Sequence, residues 1–219
     1  DSTWKRLASR RPQARSSPTA RWPGRGTMSV SARKASNPDG FADVVVTAAQ
    51  QLGVRPLAVE KDYWACEALR AITVAHTGEV VFKGGTSLEK LRIIRRFSED
   101  LDLLVIGGHG SNRAAERALK SMIAAAADAT GGQASGGHSG GRPGSFHRSA
   151  YLAPPLAYSA EPSAIADART ILVELGQSGG PNPHRARQVT SLLSRQLADA
   201  GFDTSAWGDL TSFDVAVLH

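Results

Sequence analysis

Cysteine is nearly missing from this chain. Cys66 is the only one among 219 residues, so neither an internal disulfide nor a cysteine-built zinc site can form. Long apolar runs are also lacking. None approaches the roughly 18 residues that a membrane-spanning helix requires, so no membrane association is expected. The opening Asp1-Ser2-Thr3-Trp4-Lys5-Arg6 leads into no apolar stretch of the secretory type, and the expected location is cytoplasmic. The histidines, at positions 76, 109, 138, 147, 184 and 219, show no metal-ligand spacing, which leaves a zinc centre or a histidine-based triad unsupported. What is present suffices for folding: 41% hydrophobic and 21% charged residues can bury a core, and the length suits one domain with appendages.

Charge is unevenly placed. Residues 1–35 carry nine basic side chains against the single acid Asp1, whereas the remainder carries 17 basic and 19 acidic ones. The basic character thus belongs to an N-terminal arm, residues 1–40, rich in Ser, Arg, Pro and Gly. The body, residues 41–219, is slightly acidic. A carboxylate-rich body with a cationic arm suits a metal-using enzyme acting on a polyanion; the alternative is a solvated leader.

From Phe41 a helical period sets in: Val44, Val45, Ala48, Ala49 and Leu52 share a face, and Gly53 ends the helix. After Pro56 a second helix places Leu57, Trp64, Ala68, Ile72 and Ala75 on its apolar face, with Glu60, Lys61 and Glu67 off it. A short strand at 79–82 runs into Gly84-Gly85, followed by a helix to Arg95 and a strand through Leu101, Leu103 and Val105. Helices are also expected over 112–129 and 190–200, and strands over 149–157, 170–175 and 213–218. Residues 131–145, with seven glycines, read as a mobile loop too poor in apolar groups to pack. Strands and helices mix without strict alternation, so the class is α+β, with a mixed sheet flanked by helices.

The chemistry concentrates in two linked pieces. Lys83-Gly84-Gly85-Thr86-Ser87 takes a strand into a helix, a turn whose free backbone N–H groups can face a phosphate while the glycines permit close approach. Its spacing to Lys90 is not that of a P-loop. Asp100 and Asp102 follow, one residue apart on a strand, so both carboxylates face the same side. A divalent cation relieves their repulsion, and oxygen ligands suit Mg²⁺, with Mn²⁺ as a substitute. Together these pieces make the plan of a metal-dependent phosphoryl or nucleotidyl transferase acting on a nucleoside triphosphate. Gly84, Gly85, Thr86 and Ser87 would hold the nucleotide. Lys90, one turn beyond Ser87, and Arg96, beside the acids, could meet its phosphates, although Arg96 could equally pair with Glu99 or Asp100. Glu174, mid-strand between Val173 and Leu175, is either a third carboxylate of the site or a surface acid. Cys66 is read as an inert small side chain.

The run Phe82–Leu104, FKGGTSLEKLRIIRRFSEDLDLL, resembles the core motif of the AbiEii-type nucleotidyltransferase toxins of bacterial toxin–antitoxin pairs. Glu60-Lys61-Asp62-Tyr63 is similar to the segment upstream of that motif. Residues 171–175, 179–183 and 190–193 resemble a later block, so the likeness spans roughly residues 41–218. The resemblance implies a DNA-polymerase-β-like nucleotidyltransferase fold, Mg²⁺, a nucleoside triphosphate, a cognate antitoxin, and transfer of nucleotides to RNA such as tRNA 3′ ends. It favours Glu174 as third carboxylate beside catalytic Asp100 and Asp102. Longer family members continue past the strand matching 213–218 into a helical region with a catalytic Lys and a later Asp, whereas this sequence runs to His219. The alternative function is therefore a degenerate member that binds nucleotide, RNA or antitoxin without turnover.

Overall fold

The computed structural model describes residues 38–94, 98, 100–107, 109–142, 145–158, 169–177, 182–204 and 208–218. Most of the expected arm lies outside these residues, as does Arg96. In chain order the elements are α1 (Pro38–Leu52), α2 (Pro56–Ala75), β1 (Val80–Lys83), α3 (Gly84–Lys90), β2 (Leu101–Val105), α4 (Asn112–Thr130), β3 (Gln133–Ser135), β4 (Ser139–Arg142), β5 (Ser145–Ala153), β6 (Ile171–Gln177), β7 (His184–Val189), α5 (Leu192–Asp199) and β8 (Phe213–Leu218). Pro38–Gly40, assigned to the arm from sequence, are the first residues of α1.

The strands form one eight-stranded mixed sheet in the order β3-β5-β6-β2-β1-β8-β7, with β4 also on β5. β2 runs parallel to β6, and β1 to β8; the other pairs are antiparallel. This is the expected α+β class. Strand alternation decides the faces. Leu101, Leu103 and Val105 of β2, Ile171, Val173 and Leu175 of β6, and Val215 and Val217 of β8 are buried against the apolar stripes of the helices in one cluster. Asp102 and Glu174 alternate to the opposite, open face.

The helices form for recognisable local reasons. Ala115, Leu119, Met122, Ile123 and Ala126 recur at helical spacing along α4, and the Ser111 hydroxyl caps its start by accepting from the Ala114 N–H at 3.2 Å. Ser191 caps α5 by accepting from the Ser194 N–H at 3.1 Å. Pro56 opens α2, where its missing N–H costs nothing.

The structure corrects two sequence readings. Within the stretch read as a loop, Gln133–Ser135 and Ser139–Arg142 are strands: β3 and β4 pair along the outer edge of β5, and Pro154-Pro155 end that strand because proline cannot donate to a ladder. The first turns of α2 do not shed their charges into solvent. Glu60 is 0% exposed, Lys61 2% and Asp62 1%.

Burial at that price in desolvation requires partners, and α2 finds them in distant segments. The Glu60 carboxylate accepts the backbone N–H groups of Ala157 (2.8 Å) and Tyr158 (3.1 Å). Asp62 accepts from Lys90 Nζ with one oxygen and from the Leu192 N–H, at 2.6 Å, with the other. The Tyr63 hydroxyl donates to Asp209 at 2.7 Å. Arg70 donates to the Thr211 carbonyl at 2.7 Å and lies over the Phe213 ring, 4.3 Å from its centre. Glu89 extends the network, 3.3 Å from Lys90 and 2.8 Å from Arg195.

Burial alone would lower the Lys90 pKa, but Asp62 foremost, with Cys66 and Glu89, turns the balance, and the ammonium is held above its ordinary value. Burial pushes the neighbouring Cys66 thiol up to about 12 against the opposing pull of Lys90. A buried, protonated thiol is a poor nucleophile, and the cause is burial rather than the absence of a nearby cation.

Replacing Asp62 with Ala should strand a buried ammonium and cost about 3–5 kcal/mol of unfolding free energy in a urea titration. Asp62→Leu combined with Lys90→Met should recover the charge term and retain a loss of about 1 kcal/mol from the orphaned Leu192 N–H. Equal destabilisation of single and double variants would show that the pair is not the source of the effect.

Candidate active site

β1 delivers the chain to Gly84, which adopts φ +78°, a left-handed conformation that side chains disfavour. A Cβ at Gly84 would also overlap the Asp102 carboxylate. Glycine is therefore required twice over: for the turn, and for the close approach of that turn to β2. Gly84 is exposed and Gly85 half-buried, so their backbone faces outward.

Thr86 and Ser87, assigned from sequence to a nucleotide, are buried and brace the turn. Thr86 Oγ1 donates to the Asp100 carbonyl at 2.5 Å and lies 2.8 Å from Ser98 Oγ, tying the turn to the entry of β2. Ser87 Oγ donates to the Gly84 carbonyl at 2.8 Å. What the turn presents outward is glycine backbone rather than the two hydroxyls. Lys90 is a further correction. Its ammonium points into the protein to Asp62 and is 1% exposed, because α3 turns that face toward α2. It does not face the turn.

The carboxylates are assembled by strand register. Lys83 of β1 lies opposite Asp102 of β2, Asp102 opposite Glu174 of β6, and Glu174 opposite Ser149 of β5. Side chains at directly paired positions share a face, so these four form one row across the open side of the sheet. Lys83 Nζ is 3.7 Å from Asp102 Oδ1. Asp100 is exposed immediately before β2. Glu174 has a raised pKa: its partial burial comes first, then the charge of Asp102 and a hydrogen bond with it, then the charge of Asp100, with Lys83 opposing.

The sequence placed Asp100, Asp102 and Glu174 in one site, and the register brings them together. It could not supply Ser149, whose position opposite Glu174 depends on the pairing of β5 with β6. Lys83 was one of several basic residues near the turn, and the β1–β2 pairing singles it out.

Among the described residues, no three His, Cys, Asp or Glu side chains enclose a metal position. The acids instead present hard oxygen donors on an open edge. That fits a cation which takes one or two carboxylates and completes its shell with substrate phosphates and water, as Mg²⁺ does, and does not fit a metal caged by protein. A cavity of about 450 Å³ opens beside α5, lined by Arg92, Ser194, Arg195, Asp199 and Phe202 among others. No member of the carboxylate row lines it.

Glu174 gives a pH prediction for the protein in EDTA. Its folded-state pKa is raised, so the folded form binds the proton more tightly than the unfolded form, and stability falls as pH rises from about 4 through the raised value. Glu174→Gln should flatten this part of the melting-temperature profile and raise the midpoint at neutral pH. A Gln variant that keeps the slope would place its origin elsewhere.

Against curated proteins the chain has no match. The family model for the nucleotidyl transferase AbiEii toxin of type IV toxin–antitoxin systems matches residues 67–218. That stretch begins within α2, after Glu60-Lys61-Asp62-Tyr63, and runs through the glycine turn, the carboxylate row and β8. Among the described residues, no helix is long and apolar enough to cross a membrane. The chain belongs to the AbiEii nucleotidyltransferase toxin family, whose members act in toxin–antitoxin systems and so imply a cognate antitoxin as partner.

Proposed function

We propose that the protein is a Mg²⁺-dependent toxin that transfers nucleotides from a nucleoside triphosphate to RNA, with tRNA 3′ ends as acceptors, and thereby blocks translation in the cytoplasm. The observation that carries this reading is the row of Asp102 and Glu174, with Asp100 beside it, against the outward backbone of Gly84-Gly85. A phosphate seat and a carboxylate edge in contact are what nucleotidyl transfer needs.

Asp100 and Asp102 would hold Mg²⁺, which neutralises phosphate charge and draws the triphosphate and acceptor hydroxyl together when bound. The Gly84 and Gly85 N–H groups receive phosphate oxygens. The Lys83 ammonium, already beside Asp102, compensates charge at the same edge. Glu174 accepts the proton of the acceptor 3′-hydroxyl on a carboxylate oxygen, the freed 3′-oxygen bonds to the α-phosphorus, and the bond from that phosphorus to the bridging oxygen breaks to release pyrophosphate. The Glu174 pKa, raised by partial burial and by the charge of Asp102, makes it a better proton acceptor than an ordinary glutamate. Residues 1–35, with nine cations against one acid, add attraction for the polyanion.

Purified protein given α-labelled CTP, UTP, GTP or ATP with total tRNA and Mg²⁺ should label the RNA. Asp102→Asn should reduce labelling on the order of a hundredfold or more. The same substitution should weaken the rise in melting midpoint caused by Mg²⁺-triphosphate, and leave the metal-free midpoint unchanged or higher. No transfer from any of the four nucleotides by folded protein, with Mn²⁺ also tried, sinks the reading. Triphosphate stabilisation without transfer instead identifies a binder that does not turn over. Label appearing only from the γ-position indicates phosphoryl transfer.

A further inference from the structure

The carboxylate row does not end at Glu174. It continues through Ser149 onto the outer strands, where the open face changes character. Residues 129–160 contain no Asp or Glu, but include His138 and His147. On β5 the residues facing the same side as Ser149 are His147 and Tyr151, one on either side of it. Both are exposed, Tyr151 to 38%.

His138, at the approach to β4, lays its ring on that of His147 with centroids 5.2 Å apart and planes at 20°. Ser149 locks the arrangement: its hydroxyl accepts from the His138 N–H at 2.9 Å, and its own N–H donates to the His138 carbonyl at 2.8 Å. Glycines keep the surface low around the rings. A Cβ at Gly140 would lie 3.6 Å from both imidazoles, and one at Gly136 would press on the Tyr151 ring at 3.3 Å. Gly137 passes so close beneath Ser149 that a side chain there would strike the Ser149 carbonyl.

We propose that this surface, the His138–His147 stack and Tyr151 flanking Ser149, is the platform on which the unpaired 3′ end of the acceptor RNA lies. The inference rests on the nucleotidyltransferase reading of the adjoining carboxylates. Unpaired bases are recognised largely by stacking on His, Tyr, Phe or Trp faces, which are available here on strands that carry no carboxylate of their own. The surface is open along β5, which suits a strand lying across it rather than a small molecule enclosed by it. Its continuity with Glu174 through the Ser149 pairing brings a strand stacked on the aromatics to the acid that would receive its terminal proton. The nucleotide donor, seated at the Gly84 turn, approaches the same acids from the β1 side.

Fluorescence anisotropy with a labelled single-stranded RNA of about eight nucleotides, ending in a free 3′-hydroxyl, tests the platform without requiring turnover. His147→Ala and Tyr151→Ala should each weaken binding about tenfold, the scale of losing one base–aromatic stack. His147→Phe and Tyr151→Phe should retain affinity within about twofold, and a blunt RNA duplex should bind more weakly than the single strand. Melting midpoints of all four variants report folding, and the Phe pair keeps the test intact if an Ala variant unfolds. No binding of the single strand by the parent protein, unchanged affinity in the Ala variants, or loss of affinity in the Phe variants overturns the proposal. The two readings fail separately. Binding that depends on the aromatics without any nucleotide transfer removes the enzymatic reading and keeps the platform. Transfer whose acceptor KM is unmoved by either Ala substitution does the reverse.

Discussion

The buried ion pair between Asp62 and Lys90 is the constraint on which the rest of the site depends. α3 has only seven residues and contributes few apolar contacts, so hydrophobic packing alone would leave its orientation loosely determined. The pair fixes it. Lys90 ends α3, Asp62 sits in the first turns of α2, and the second Asp62 oxygen takes the N–H that opens α5. Two charges removed from water tolerate misplacement poorly, because neither has solvent to fall back on. One carboxylate thereby sets the positions of three helices, and the orientation of α3 determines where Gly84 meets Asp102.

The site itself is a product of sheet geometry. β2 contributes Leu101, Leu103 and Val105 to the core and Asp102 to the open face through strand alternation alone. Glu174 reaches Asp102 because β6 is its parallel neighbour in this register, and a slip of one residue would turn Glu174 toward the core. The raised Glu174 pKa reflects its partial burial first and then the repulsion among these acids, the electrostatic cost of gathering negative charge on one edge. The open face carries the carboxylates and the helical face carries the apolar core.

Beyond Glu174 the same face is acid-free and aromatic, built from short edge strands dense in glycine. Such strands contribute little to a core. Their glycines leave the His138 and His147 rings and the Tyr151 ring uncovered beside the carboxylates. The glycine richness that suggests a linker in the sequence instead serves close backbone packing, most directly at Gly137 beneath Ser149.

Whatever depends on local periodicity and local sterics was legible in the sequence: the amphipathic helices α1, α4 and α5, the glycine turn after β1, and membership of a nucleotidyltransferase family. It did not reveal β3, β4 or β7, because edge strands lack the apolar alternation that marks a half-buried strand, and β7, with His184, Arg185, Arg187 and Gln188, reads as polar throughout. Nor could it show that Glu60, Lys61 and Asp62 are buried, or that Lys90 turns inward. Spacing assigns a residue to a helix face, but only tertiary packing decides whether that face meets water or an opposite charge. Tertiary structure alone also placed Ser149 against Glu174 and His138 on His147. Those contacts join strands and turns distant in sequence, and no local signal encodes which strands will be neighbours.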